Sequence, residues 1–376
     1  MASERLSPDL KGQASLTLGD VIRQTANNYP DPRFRPKIYE KTPYYTIAGI
    51  DPSPYSFWVT VDGIGTKPEL AERLYTESML QGSPTPEVYE GLPFDLLAMI
   101  DGDEARFGRY MVGVTNVLDV TSAGNIDVIH AMARGLKAAC DEGGFALLNG
   151  ETAELGYRTS GYGKTRLNWN AFGISIVNPE KLLMGKELAP GQLVVALCEK
   201  SIRSNGVSKA RAILEIYYLL HQGLQSKQEY VEHKLKEHGI IFDATKINIG
   251  DVLTEIFGHD AMEQVLPPWH TINPDITRQL LWPSRLYGPI MYEAQGKIDE
   301  PRNVKMVAAA HISGGGVPEK GKRMVESKKL GLAVDAIFPD PEGVTSLLSI
   351  AKGFPEEVKQ RVKIDDRLAC EHGTEE

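Results

Sequence analysis

Residues 57–70 read FWVTVDGIGTKPEL, and the order of residue types in this stretch decides the fold. Phe57–Val61 is a short aromatic and β-branched run, the composition of a buried strand. Thr66 followed by Glu69 has capping-box spacing, and Pro68 stands where a helix start loses nothing by lacking an N–H. Between this strand and helix lies Asp62-Gly63-Ile64-Gly65-Thr66-Lys67. Gly63 and Gly65 let the backbone pass close to a ligand, and free N–H groups collect at the helix mouth. Lys67 adds a cation, and Asp62 leaves the strand end as a candidate metal ligand. Together these features point to a phosphate and Mg²⁺ site. A tight strand-to-helix turn with a surface lysine accounts for the same letters equally well. The stretch is not a Walker A loop, because it does not match GxxxxGK[ST].

Working outward, 376 residues are enough for two domains with ample core. The 42% hydrophobic and 24% charged content is that of an ordinary globular protein. A net charge of −9 argues against non-specific binding of nucleic acid or anionic membranes. A polyanionic substrate then needs a local basic pocket or Mg²⁺. Cys140, Cys198 and Cys370 lie far apart, which fits neither a disulfide framework nor a zinc cluster and points to a reducing compartment. MASERLSPDLKG carries no apolar signal core, and the chain has no apolar run of membrane-spanning length, so a cytoplasmic location is expected.

Residues 1–40 are polar and proline-dotted around one short amphipathic candidate, Asp20–Ala26, and read as an arm. Gln81–Gly91 is a loop by composition. Leu92–Ile100 is apolar and runs into Asp101-Gly102-Asp103-Glu104, where Asp103 either faces a cation or belongs to a solvated charge run. Tyr110–Val117, Phe145–Leu148 and Phe172–Val177 read as strands. Asp127–Glu142 is a helix with Cys140 on its apolar face, His130 toward solvent, and Gly143-Gly144 as its stop. Asn149–Glu154, NGETAE, reads as a second glycine turn after a strand, delivering the Glu151 carboxylate. Gly161-Tyr162-Gly163-Lys164-Thr165 resembles a P-loop ending but has Arg158 at the required first glycine, and is read as a loop tip.

A domain boundary is expected around 178–190. Leu193–Cys198 is the next expected strand, followed by Ser201-Ile202-Arg203-Ser204-Asn205-Gly206 and the helix Val207–Leu220. Ser204 or Asn205 can cap that helix, making a second mouth suited to an anion with Arg203 beside it. Residues 221–280 read as elaboration. The expected strand Val304–Ala309 ends in His311-Ile312-Ser313-Gly314-Gly315-Gly316, whose three glycines imply close backbone approach to a partner. Leu330–Val334 and a helix at Gly343–Ala351 follow. Cys370 and His372 form a CxH pair with no companion ligand nearby in sequence.

These islands, in this order, resemble the aminoimidazole ribonucleotide synthetase family, the phosphoribosylformylglycinamidine cyclo-ligases. VDGIGTK at Val61–Lys67 resembles that family's DGVGTK. Asp95–Met99 with Asp103 and Gly108 is similar to IDLVAM…ND…G, and NGETAE to GGETAE. SIRSNGVS at Ser201–Ser208 is similar to SGxHSNGYS. His311–Gly316 with Glu319 and Arg323 is similar to HxTGGGxxENxxR, and WPSRLY at Trp282–Tyr287 is a weaker echo of APTRIY. The resemblance spans roughly residues 57–330.

It implies a two-domain α/β (α+β) protein, with an ATP-binding domain at 41–180 and a mixed C-terminal domain at 185–376. The substrate would sit near their junction, and the protein would be a homodimer. It implies ATP-dependent phosphorylation of the formyl amide oxygen of formylglycinamidine ribonucleotide, after which a nitrogen of the same substrate closes the imidazole ring. Implied roles follow residue by residue. Asp62, Asp103 and Glu151 would hold Mg²⁺, and Gly63, Gly65, Thr66, Lys67 and Thr152 would join them around the nucleotide. Arg203, Ser204, Asn205, Gly206 and Gly314, Gly315, Gly316 would bind the ribonucleotide phosphate or its developing charge. Asp62, Lys67 and His311 would be catalytic, His311 bonding substrate, moving a proton, or serving as a structural histidine.

Some positions depart from the family. Leu6–Ala26 lacks the family's glycine-containing segment, which only Tyr45–Asp51, YTIAGID, echoes. The family's histidine before SNG is Arg203 here, its asparagine before Asp103 is Gly102, and its asparagine after Glu319 is Lys320. The chain ends before the family's FNxGxGM strand, so an incomplete C-terminal domain is expected. The rival readings are a non-catalytic nucleotide-binding paralogue and a thiamine-phosphate kinase-like enzyme.

Overall fold

The computed structural model describes residues 37–41, 46–50, 54–122, 125–159, 165–218, 274–314, 316–326, 328–334 and 340–353. The Asp20–Ala26 candidate, the Gly161–Lys164 tip, most of 221–280, Gly315 and the Cys370–His372 pair lie outside them.

The centre is a four-stranded mixed sheet, ordered β3-β6-β4-β5, of β3 (Ser56–Gly63), β4 (Tyr110–Val120), β5 (Ala146–Glu154) and β6 (Leu167–Val177). β3 and β4 run antiparallel to β6, and β5 runs parallel to β4. A separate antiparallel pair, β1 (Lys37–Lys41) and β2 (Thr46–Gly49), precedes it. The strand expected at Phe57–Val61 is half-buried. Ser56 and Trp58 face inward, while Phe57, Val59 and Val61 alternate outward onto an open face. NGETAE is not a turn following a strand. It continues β5, with Glu151 opposite Val117 and Thr152 opposite Leu118.

The inner face packs on α2 (Leu92–Ala105), buried along nearly its whole length. Gly173 on β6 permits this, because a β-carbon there would lie 2.4 Å from Ile100 Cγ2. Full burial of Leu96, Leu97 and Ile100 contributes about 1.5–3 kcal/mol each. The last turn of α2 is the acidic run, and two of its three carboxyls are shut off from solvent, while the Asp103 side chain is 39% exposed. Asp101 and Glu104 are buried, Glu104 accepting from Arg109 at 2.8 Å and bonded to Ser175. α1 (Lys67–Leu80) lies before it in the chain and α3 (Ile126–Gly143) after it, and α3 ends at the left-handed Gly144, φ 72°. As expected from its spacing, α3 buries Cys140 and exposes His130. Burial pushes the Cys140 thiol up to about 11, which makes it inert.

Further along come α4 (Val207–Tyr218), α5 (Pro274–Leu280), α6 (Gly288–Gln295), α7 (Gly316–Glu326) and α8 (Glu342–Lys352). One continuous apolar cluster runs from Ile64 through α2 and α3 to Ile213 on α4, Leu280 on α5 and Leu347 on α8. It therefore crosses the expected boundary at 178–190. Leu193–Cys198, Val304–Ala309 and Leu330–Val334 do not form strands. Among the described residues these runs lack a neighbouring ladder, and Leu193 and Val195 are 89% and 74% exposed. Among the described residues no helix is long and apolar enough to cross a membrane.

Candidate functional site

The site is built where three helix starts meet the end of α2. After β3, Ile64 N–H donates to the Trp169 carbonyl at 2.9 Å, and Gly65 turns the chain at φ 71°. Only glycine fits both demands at position 65, since a β-carbon would also lie 3.2 Å from the Ser204 carbonyl. Thr66 does not cap α1. It sits in a helical conformation, and its hydroxyl pairs with Ser208 Oγ at 3.0 Å instead. Glu69, the other half of the expected capping box, pairs with Arg73 and with Arg211 at 2.6 Å. Local capping thus gives way to contacts that set the mouths of α1 and α4 side by side. Gly206, φ 79°, turns the chain into α4. Gly314, just before α7, brings the third start alongside: a β-carbon there would be 3.4 Å from Asn205 Oδ1. Ser204 Oγ donates to the Asp95 carbonyl at 3.1 Å, and Asn205 Nδ2 contacts Met99 Sδ, so the SNG turn rests on α2. Clustered helix N-termini favour an anion through their unpaired N–H groups and dipoles.

Lys67 does not reach this opening. Its ammonium is wholly buried, donating to Asp95 Oδ1 at 2.6 Å and to the Trp282 carbonyl at 2.9 Å. The same Asp95 oxygen accepts from Ser284 N–H and Ser284 Oγ. Burial pushes the Asp95 carboxyl up, against Lys67 and Ser284, which pull it down. The expectation that Lys67 holds a phosphate is therefore corrected. An isolated ammonium in the apolar interior would be costly, and its carboxylate and carbonyl partners consume it.

Arg203 is corrected in the same way. Its guanidinium pairs with Glu199, donates to the Ala98 carbonyl at 2.8 Å and the Arg285 carbonyl at 3.4 Å, and lies over the Tyr287 ring. It braces the SNG turn and offers no open face to a substrate.

The charges that do share one neighbourhood are Asp62, Asp103, His311 and Lys320. Asp62 Oδ1 accepts from Gly63 N–H at 2.7 Å. Burial pushes its carboxyl up, Asp103 adds to that, and Lys320 opposes it. Asp103 pairs with His311 Nδ1 at 3.0 Å and with Arg106 at 3.4 Å. Burial alone would raise Asp103, but His311, Arg106 and Lys320 outweigh it and hold the carboxyl at about 2. Burial also disfavours the imidazolium of His311, whose side chain is only 5% exposed. At neutral pH the pair is thus a carboxylate accepting from a neutral imidazole. The ring is seated by Gly102, where a β-carbon would lie 2.7 Å from His311 Nε2.

Asp103 disfavours the charged form of Asp62, a repulsion that a divalent cation between two carboxylates relieves. Glu151 cannot join them within one chain. Register places Asp62, Ala171, Asn116 and Gly150 in one row on the inner face, and Glu151 with Val117 and Asn170 on the open face. Three strand spacings also separate β3 from β5, roughly 14 Å. Thr152 is exposed on β5, where it stands opposite Leu118. Among the described residues no group of three His, Cys, Asp or Glu side chains can enclose a metal ion.

Sequence reading missed Asp95, Ser284, Glu199 and Lys320. Asp95 and Ser284 bind across 28 and 189 positions of sequence, for which one sequence carries no signal, whereas Glu199 pairs with Arg203 only four positions on. Lys320 had a signal: it is a departure from the motif, and it brings a cation toward Asp62 and Asp103.

The arrangement is that of a mixed α/β protein whose polar site lies at one end of a buried helix. No protein-family model matches the chain. Its curated relatives bear out the resemblance read from the motifs. It is similar to a phosphoribosylformylglycinamidine cyclo-ligase of Synechococcus sp., 25% identical over 295 residues, covering 78% of this chain and 62% of that one. The cyclo-ligase of Symbiobacterium thermophilum is 27% identical over 279 residues, covering 73% and 62%. That of Sorangium cellulosum is 31% identical over 156 residues, covering 41% and 40%. The chain thus spans about three-fifths of the length of the first curated relatives it matches. Among solved structures, AaThiL complexed with AMPPCP and TMP aligns with TM-score 0.38 and 11% identity, covering 92% of this chain and 80% of that one. At that score the likeness carries no weight.

Proposed function

We propose that the chain is an ATP- and Mg²⁺-dependent phosphoribosylformylglycinamidine cyclo-ligase, closing the imidazole ring of aminoimidazole ribonucleotide. The observation that carries this reading is the convergence of separate motifs. Gly65 meets Ser204, Asn205 meets Gly314, and His311 meets Asp103, although the members of each pair stand more than 100 positions apart. An amide oxygen is a poor leaving group, and phosphorylation by ATP makes it a good one. Phosphoryl transfer asks the protein chiefly for positioning and charge neutralisation.

In this reading the N–H groups at the mouths of α1, α4 and α7 cradle phosphate groups, and Lys320 takes over the phosphate contact expected of Lys67. Asp62 and Asp103 fit Mg²⁺, with its other positions left to water and phosphate oxygens; bound there, Mg²⁺ neutralises phosphate charge. Asp103 fixes the His311 tautomer so that the ring presents a neutral nitrogen to the substrate. The N-terminal half, 41–180, is the ATP-binding part. The open sheet face carrying Phe57, Val59, Val61 and Phe172 supports a homodimer, because exposed apolar surface of this kind marks association. Incubating the chain with ATP, Mg²⁺ and formylglycinamidine ribonucleotide tests the reading. ADP and aminoimidazole ribonucleotide should form together, and a folded chain that yields neither overturns it.

The occupied guanidinium of Arg203 favours one second reading, a non-catalytic nucleotide-binding paralogue. Nucleotide binding without turnover in the same assay would select it.

A further inference from the structure

The loop that follows α6 encloses a cation of its own. The carbonyl oxygens of Gln295, Gly296, Lys297 and Glu300 all converge on Lys181 Nζ, with Gly296 at 2.8 Å and Gln295 at 3.5 Å. The loop is closed tightly on itself. Gly296 has φ 67°, a β-carbon there would lie 1.8 Å from the Pro301 carbonyl, and Glu300 N–H donates to the Lys297 carbonyl at 2.9 Å. Val304 N–H donates to the Ala294 carbonyl at 2.9 Å and Asn303 Nδ2 to the Glu293 carbonyl at 2.7 Å, so the returning chain is pinned to the helix.

Four carbonyl dipoles pointing at one spot repel one another unless a positive charge sits there. The end of α6 adds the negative pole of its own dipole. Of the groups around the spot, burial and Arg302, which donates to the carbonyls of Glu180 and Met306, lower the Lys181 ammonium's hold on its proton, while the carboxylates of Glu300 and Asp299 favour positive charge. An ammonium has three N–H bonds for four carbonyls, whereas a spherical ion of similar size can use all four. Rings of backbone carbonyls are how proteins replace the hydration shell of potassium.

We propose that this loop is a monovalent-cation site of the potassium and ammonium class, in which the Lys181 side chain is the resident, covalently tethered cation. The tether joins the turn after β6 to the far end of α6. The opposite end of α6 is held by Asp101, whose carboxylate accepts Gly288 N–H at 2.6 Å. Each pole of the helix thus meets a charge of opposite sign from the N-terminal half.

Lys181→Ala removes the ammonium and leaves room for an ion. Thermal unfolding of the variant is compared in KCl, NH₄Cl and choline chloride at equal ionic strength, about 0.1 M, so that screening is matched. Melting is expected roughly 5 °C below the parent in choline chloride, with at least about half of that loss regained in KCl or NH₄Cl. The parent should not distinguish the salts. Hydrogen exchange at Gly296–Glu300 should accelerate in the variant and slow again with potassium. Lys181→Ser is measured alongside, in case the alanine variant does not fold. No loss of stability, recovery equal in choline chloride, or no recovery in any salt overturns the proposal.

Discussion

Lys67 Nζ and Asp95 Oδ1 lie 2.6 Å apart with both side chains shut off from solvent, and this pair joins the start of α1 to the first turn of α2 and to Ser284. The lysine of the glycine turn is thus a strut inside the protein. Lys67→Met leaves an uncompensated buried carboxylate, and Asp95→Asn an uncompensated ammonium, so each should cost about 3–5 kcal/mol. Lys67→Met with Asp95→Leu removes both charges and should cost clearly less than the sum. Urea unfolding of the double-mutant cycle measures the coupling, and strict additivity would show that the pair does not act as a unit.

Nucleotide binding should separate Lys320 from Lys67. Asp62→Asn and Lys320→Met act on charges facing the helix mouths, and both should weaken Mg²⁺-ATP binding by about tenfold, or 1.4 kcal/mol, with unfolding midpoints near the parent's. Calorimetric titration checks this. Unchanged affinity in both variants would move the nucleotide site elsewhere.

Two carboxyls of α2 should pull acid stability in opposite directions. Asp103 is held at about 2 against an ordinary 3.8. Its stabilisation is therefore complete above the ordinary value and is lost as pH falls toward 2. Asp103→Asn removes the titrating carboxyl, and the loss of stability between about pH 4 and about pH 2 should become shallower. Asp101 is raised from 3.8 to about 6, chiefly by burial. The folded state binds the extra proton between those values, so this group costs stability as pH rises from about 4 to about 6. Asp101→Asn should flatten that part of the profile. Profiles that superpose on the parent's in both variants would contradict these shifts.

The open sheet face gives the prediction about assembly. Val59 and Val61 are 66% and 59% exposed on one strand, with Phe57 between them and the strand start. Val59→Lys should leave the monomer fold intact and shift sedimentation toward the monomer. A parent that sediments as a monomer at micromolar concentration would remove the homodimer reading.

What could be read from letters was local. The strand before Asp62, the helix after Lys67, the α3 stripe and its Gly144 stop all follow from periodicity and turn chemistry, and the structure contains them. The half-burial of β3 was not legible, because Phe57–Val61 is apolar on both faces and alternation is hidden. The acidic run at 101–104 reads as solvated because two of its partners, Ser175 and the start of α6, stand 71 and 187 positions away, although Arg109 is close in sequence. The same holds for Lys67, whose charge could be placed only by knowing that Asp95 and Trp282 surround it. Motif positions located the site; long-range pairing decided which side chains face it.

The His311 ring resting on Gly102 has a consequence for how this chain could have diverged. Asparagine, the family's residue at that position, brings a side chain into the volume the imidazole fills, so neither residue can change freely while the other stays. The family's motifs keep the histidine together with that asparagine, so it is the glycine here that lets the imidazole sit this close. Grafting the asparagine back asks the ring to move, and with it the hydrogen bond to Asp103.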